Sequence, residues 1–190
     1  MKKKFIIIGI VLVILFIIFI SITGKIKIID KIITETEKIS KVNNYYLKVV
    51  DENDGLIEIF YKDGDYIYTN SINNVTKILY IVNGEKLLIN DKDGNQTITN
   101  LETEPVISEI PNADYYKTNN IFDKIKLALS LKNEKIDGKT VYKISDKNIS
   151  TWVDKDTYMI LQDDNGGIRK YELRPNIVEE SNLAKPNIVE

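Results

Sequence analysis

The residues best spaced for chemistry run from Asp91 to Glu102, where oxygen donors recur at the intervals of a calcium-binding loop. Asp91, Asp93 and Asn95 would supply side-chain oxygens, Thr97 its carbonyl, and Glu102 a bidentate carboxylate, with Ile98 at the apolar position. The sixth position should be glycine for the sharp turn and is Gln96, and Asn83-Gly84 and Pro105 stand where flanking helices should run. The competing reading is a β-hairpin turning at Asp93-Gly94, and the turn chemistry favours it. No metal is therefore expected, with the Asp91–Glu102 loop as the calcium alternative. Asp163, Asp164 and Asn165, followed by Gly166-Gly167, form a second oxygen-rich cluster without a fixed ligand pattern, which reads as a solvated hairpin loop.

Other chemistry is narrowed by what is missing. The chain has no cysteine and no histidine, so thiolate sites, disulfides, an acylated cysteine and the usual neutral-pH general base are all excluded. The carboxylates, Lys, Tyr, Ser and Thr that remain do not assemble into a nucleophile–base pair, and the expectation is a protein that is not an enzyme and needs no cofactor. A formal net charge of −2 leaves no cationic excess for a phosphate backbone, so nucleic acid is not an expected partner. The sequons at Asn74, Asn95 and Asn148 are attributed to the abundance of Asn.

The remaining candidates are apolar. Among 11 tyrosines, Tyr61, Tyr66, Tyr68 and Tyr80 fall in neighbouring predicted strands, where alternation can bring rings to one sheet face. With Ile59, Ile78 and Trp152 they form a candidate lining for a hydrophobic ligand cavity; the alternative is a sheet core whose phenol hydroxyls reach the rim. Leu56 to Tyr61 and Ile78 to Val82 are apolar on both faces, and such strands need a helix, a second sheet or a ligand opposite each face.

These residues are positioned by a chain of three parts: residues 1–24 as a cytoplasmic tip and anchor, 25–42 as an amphipathic linker helix, and 43–190 as one β-rich domain. Phe5 to Ile22 carries no charge and spans roughly 27 Å as a helix, enough to cross a hydrocarbon core. Its length and the poor cleavage site at Ser21-Ile22-Thr23-Gly24 favour a retained anchor over a cleaved signal peptide. Lys2, Lys3 and Lys4 precede it and place the N-terminus in the cytoplasm, although Lys25, Lys27 and Lys31 make that bias shallow. The expected location is a single-pass protein of the cell membrane with its domain outside. Ile28, Ile29, Ile32, Ile33, Ile39 and Val42 then recur at near-helical spacing, predicting a helix from about Ile28 to Lys41.

From Tyr45 onward, short runs of Ile, Val, Tyr and Thr alternate with Asp54-Gly55, Asp63-Gly64, Asn83-Gly84, Asp93-Gly94 and Asp137-Gly138. This is the pattern of antiparallel hairpins. It predicts strands near 45–50, 56–62, 66–69, 75–82, 86–89, 96–99, 141–145, 150–153, 158–162 and 168–173, with an irregular connection over 101–116. Asn119 and Asn120 can cap a helix bearing Ile121, Phe122, Ile125, Leu129 and Leu131 on its apolar side, which would lie across one sheet face.

Ile136-Asp137-Gly138-Lys139-Thr140-Val141-Tyr142, followed by Trp152-Val153-Asp154-Lys155-Asp156-Thr157-Tyr158, resembles the bacterial lipoprotein-carrier superfamily, the LolA/LolB-like proteins and their membrane-anchored Gram-positive relatives. The polar, Pro-containing tail from Pro175 to Pro186 and the order of elements are similar to that family too. The resemblance implies a curved antiparallel sheet, a half-barrel, with one or two covering helices over a cavity for acyl chains; with the transmembrane helix read from the apolar run, the expected fold class is α+β. It implies a binding protein for a lipid, a lipoprotein acyl chain or a similar amphiphile. A permanent anchor departs from a soluble shuttle and points to sensing or local handing-over at the membrane. The alternative is an envelope structural or signalling protein that binds a partner without a ligand cavity.

Overall fold

A computed structural model describes residues 2–53, 55–105, 107 and 110–187 of the chain. It begins with one unbroken helix, α1, from Lys2 to Ile39. Ile6 to Ile20 are exposed along its first half, and this stretch is long and apolar enough to cross a membrane. No break separates it from the amphipathic stretch: the same helix continues, and its second half buries Ile29, Ile32, Ile33 and Thr36. This half of the helix thus contributes one side to the domain's core.

The strands are β1 Asn44–Asp51, β2 Leu56–Lys62, β3 Asp65–Ile72, β4 Val75–Val82, β5 Glu85–Lys92 and β6 Asn95–Asn100, followed by helix α2 Ile121–Ser130. Then come β7 Lys132–Ile136, β8 Lys139–Asp146, β9 Ile149–Asp154, β10 Ile160–Asn165 and β11 Ile168–Pro175. They form one antiparallel, unclosed 11-stranded sheet in the order β6-β5-β4-β3-β2-β1-β11-β10-β9-β8-β7. The fold class is α+β. Two hairpin meanders are joined where β1 pairs with β11, Leu47 opposite Leu173 and Val49 opposite Tyr171. Local turn chemistry sets most registers. Asp63, Asn83, Asp93 and Asp137 all have φ near +50°, each followed by a glycine with φ of +81° or more, the geometry that two-residue hairpins demand. Asp54, of the predicted Asp54-Gly55 turn, lies outside the described residues.

The two sheet faces are covered differently. On one, α1, α2 and the 101–131 connection pack against Tyr45, Leu47, Val49, Ile59, Ile144, Val153 and Ile160. The connection contributes Ile107, Ile110, Ala113 and Tyr116 and a short 3-10 turn at Asp114–Tyr116. On the other face the C-terminal tail folds back, with Val178 and Leu183 against Ile67, Tyr80, Val82 and Leu87. Asn44 holds the tail through Nδ2 to the Val178 carbonyl at 3.0 Å and Oδ1 from its N–H at 2.9 Å. Part of the two-faced apolar strand surface is therefore covered by the tail, with no ligand required there.

Two expectations are corrected. β7 was not among the predicted strands, because Lys-Asn-Glu-Lys-Ile has one apolar residue and sits at the sheet edge, where burial imposes no alternation. Tyr158 does not begin a strand: it occupies the β9–β10 turn with φ of +59°, and β10 starts at Ile160.

Candidate functional site: the helix-covered face of the sheet

Pairing register sorts the candidate cavity residues. Tyr45 opposes Tyr61, Tyr61 opposes Tyr66, and Ile59 opposes Tyr68, so Ile59, Tyr61, Tyr66 and Tyr68 share the face covered by α1. The rings stack in a row, Tyr45 to Tyr61 at 5.0 Å between centroids and Tyr61 to Tyr66 at 6.4 Å. Tyr66 donates to the Pro105 carbonyl at 3.3 Å, and Ile59 is fully buried. Ile78 and Tyr80 point the other way, towards the tail. Trp152 is also separated from the tyrosine row: its neighbours in sequence, Thr151 and Val153, are buried on the helix side, while its indole donates to Glu134 at 2.8 Å and lies under the Lys143 ammonium at 4.5 Å. The seven do not form one cavity, because period-two alternation and one pairing register divide them.

The calcium reading is replaced by its alternative. Asp91 and Asn95 lie on paired strands, and Asp93-Gly94 is the hairpin turn between them. Asp91 is engaged there, accepting from the Gly94 N–H at 3.0 Å and from Gln96 Nε2 at 3.1 Å. Glu102 lies beyond the far end of β6, on the order of 20 Å along the strand from Asn95, and Thr97 sits between, so Asp91, Asp93, Asn95, Thr97 and Glu102 cannot converge on one ion. Among the described residues no cluster of three or more acidic side chains could hold a metal. Asp163 and Asp164 alternate on β10 and face opposite sides.

Several hollows lie on the helix-covered side among the described residues, and three of them are lined by the residues discussed above. The largest, about 540 Å³, is between α1 and the 3-10 turn and α2, with a floor of Ile26, Ile29, Ile33, Tyr116 and Leu127. Asp30, Thr34, Lys117, Thr118, Asn119 and Lys124 edge it. A second, of about 480 Å³, lies beneath Val42 and Ile110 and reaches Tyr45 and Tyr61. The third, of about 330 Å³, lies among Val49, Ile57, Pro111, Asn112, Asp163 and Tyr171.

Ion pairs fix the mouth of the largest. Lys124 pairs with Asp30 at 3.3 Å, and Lys117 pairs with Glu37 at 2.9 Å and Asp114 at 3.0 Å. Hydrogen bonds from Lys41 and Lys117 hold the Glu37 carboxyl down to about 2. Deeper, Thr36 Oγ1 donates to the Ile32 carbonyl at 2.8 Å and accepts from the Ala113 N–H at 3.1 Å, fastening helix to connection. Tyr116 donates to the Ile144 carbonyl at 3.0 Å, and burial pushes its hydroxyl well above the usual phenol range. Near the third hollow, burial raises the Asp163 carboxyl although Tyr171 donates to it at 2.8 Å. Sequence reasoning missed this α1–α2 hollow, because Tyr116, Lys117 and Lys124 stand far from α1 in the chain.

No protein-family model matches the chain, and no curated protein matches it. Among solved structures the chain is similar to LprF from Mycobacterium bovis, at 12% identity and a TM-score of 0.42, with 80% of this chain and 95% of that one covered.

Proposed function

We infer that the protein is a membrane-anchored binding protein for a lipid, a lipoprotein acyl chain or a similar amphiphile, held beside the bilayer on the outer side of the membrane with the N-terminus in the cytoplasm. The observation that carries the reading is the hollow of about 540 Å³ whose floor includes Ile26. Ile26 stands one helical turn beyond Ile22, the end of the apolar run, on a helix that does not break between them. An acyl chain leaving the bilayer along α1 meets apolar side chains without crossing open water, and the volume is within the range of small-molecule sites. Lys117, Lys124, Asn119 and Thr118 at the mouth offer donors to a headgroup. Support also comes from the resemblance of residues 136–142 and 152–158 to the lipoprotein-carrier superfamily. The reading is of binding without catalysis or cofactor.

The test is photocrosslinking of the full-length chain in liposomes containing a lipid with a photoreactive acyl chain. Crosslinks are expected in the peptides carrying Ile29, Ile33, Tyr116 and Leu127 as well as in the span, and Ile33→Trp, which fills the hollow, should abolish only the former. Crosslinks confined to residues 6–22 contradict the reading. A second reading, a partner-binding protein without a ligand, is favoured by one observation: β6 and β7 are the outer strands of an unclosed sheet, each with a ladder on one side.

A further inference from the structure

Helix α2 carries its largest apolar side chains on the side that does not pack. Ile121, Phe122 and Leu129 are 56%, 72% and 60% exposed, and with the partly exposed Ile125 they form one stripe at helical spacing. The core takes Leu127, Ala128 and Leu131 instead. The expected apolar side of the helix, apart from Leu131, therefore faces outward, a pattern that marks an interaction surface in a folded protein.

The position of α2 relative to the span is fixed by two contacts. Lys25 Nζ donates to the Leu131 carbonyl at 3.0 Å, and Lys124 reaches Asp30 at 3.3 Å, so α2 runs back along α1 towards the membrane. Its C-terminal end, with Leu129, is level with Lys25, one turn from Ile22. Phe122 stands roughly 10 Å farther out along the helix axis. Because α1 enters the bilayer without a break, α2 is held at this height. A lean of α1 towards α2 within the usual tilt of spanning helices, about 20°, lowers the stripe towards the headgroups. Lys126, on the same exposed side and only loosely paired with Asp123 at 3.7 Å, can reach lipid phosphates.

We propose that α2 stands on the bilayer in which the chain is anchored, with Leu129 and Ile125 reaching the headgroup layer, Leu129 deepest, and Phe122 and Ile121 above its outer margin. This rests on the anchor reading above and extends it: the domain stands on the membrane on two legs, and the α1–α2 hollow lies between them.

The cysteine-free chain allows single-cysteine variants carrying an environment-sensitive fluorophore, measured on the full-length protein in liposomes containing headgroup-nitroxide lipid. A label at Leu129→Cys is expected to lose roughly half of its emission to the nitroxide and one at Phe122→Cys clearly less. A label at Ile98→Cys on the distant edge strand should lose little, and one at Phe16→Cys, read in liposomes carrying the nitroxide on the acyl chain instead, should report the span itself. Acyl-chain quenching at 16 with no headgroup quenching at 129 overturns the proposal and leaves the anchor standing; no acyl-chain quenching at 16 overturns the anchor as well. Emission at 129 that follows the protein-to-lipid ratio and ignores the nitroxide assigns the stripe to a second copy and overturns the proposal too.

Discussion

Two aspartates a few residues apart in sequence illustrate how environment decides the sign of a contribution. Burial pushes the Asp154 carboxyl up, but the N–H groups of Thr157 and Asp156, each 2.9 Å from Oδ1, outweigh it and hold it below the usual carboxylate range. Its contribution is therefore full above the unfolded-state value and lost as pH falls through the lowered one. Asp154→Ala leaves two turn N–H groups without their acceptor and should cost about 1–3 kcal/mol at neutral pH by denaturant titration, with a smaller loss in acid. At Asp163 burial wins and the carboxyl is raised, so its ionisation works against the fold as pH rises through that raised value. Asp163→Asn keeps an acceptor for Tyr171; it should melt higher than the parent at pH 7 and converge with it below about pH 4 in calorimetric scans. The Asp154-Lys155-Asp156-Thr157 reversal was legible in the sequence because an Asx turn is a local device, whereas the surroundings of Asp163 are set by tertiary structure: it lines one hollow with Asn112 and Pro111 of the connection between the two meanders.

At the scale of elements, turns and strands read cleanly wherever local chemistry decided them. Leu56–Lys62 and Val75–Val82 appear with the predicted bounds, and β3 extends to Ile72 because Asn73 and Asn74, both at positive φ, make a hairpin turn that contains no glycine. Helix α2 begins as expected, with Asn120 Oδ1 accepting from the Phe122 N–H at 2.9 Å, and Asn120→Ala should lower stability by about 1 kcal/mol. Its orientation was not legible: apolar periodicity identifies a helical face but not whether core or another phase covers it. The candidate cavity residues are divided for a related reason. Strand alternation is visible in sequence, but register between strands is not, and a single register put Tyr61 and Tyr66 on one face and Tyr80 on the other. Leu47 and Ile59, fully buried at the junction of the meanders, should each cost about 2–5 kcal/mol when cut to alanine, read from urea midpoints.

At the scale of the molecule, the segment long and apolar enough to span a membrane and the domain share one helix, so that segment cannot be treated as a tether. The half of α1 beyond the apolar run fills the core with Ile29, Ile32 and Ile33 and walls the largest hollow with Ile26 and Asp30. In the proposed function that continuity sets the orientation of the domain at the bilayer and gives an acyl chain access to the hollow. The most direct measurement is native mass spectrometry of the full-length chain ejected from lipid nanodiscs, beside Ile33→Trp. The parent chain is expected to retain one amphiphile more than the variant does, under conditions that strip lipid from the span equally. Identical lipid counts for the two, with the variant folded, would contradict it.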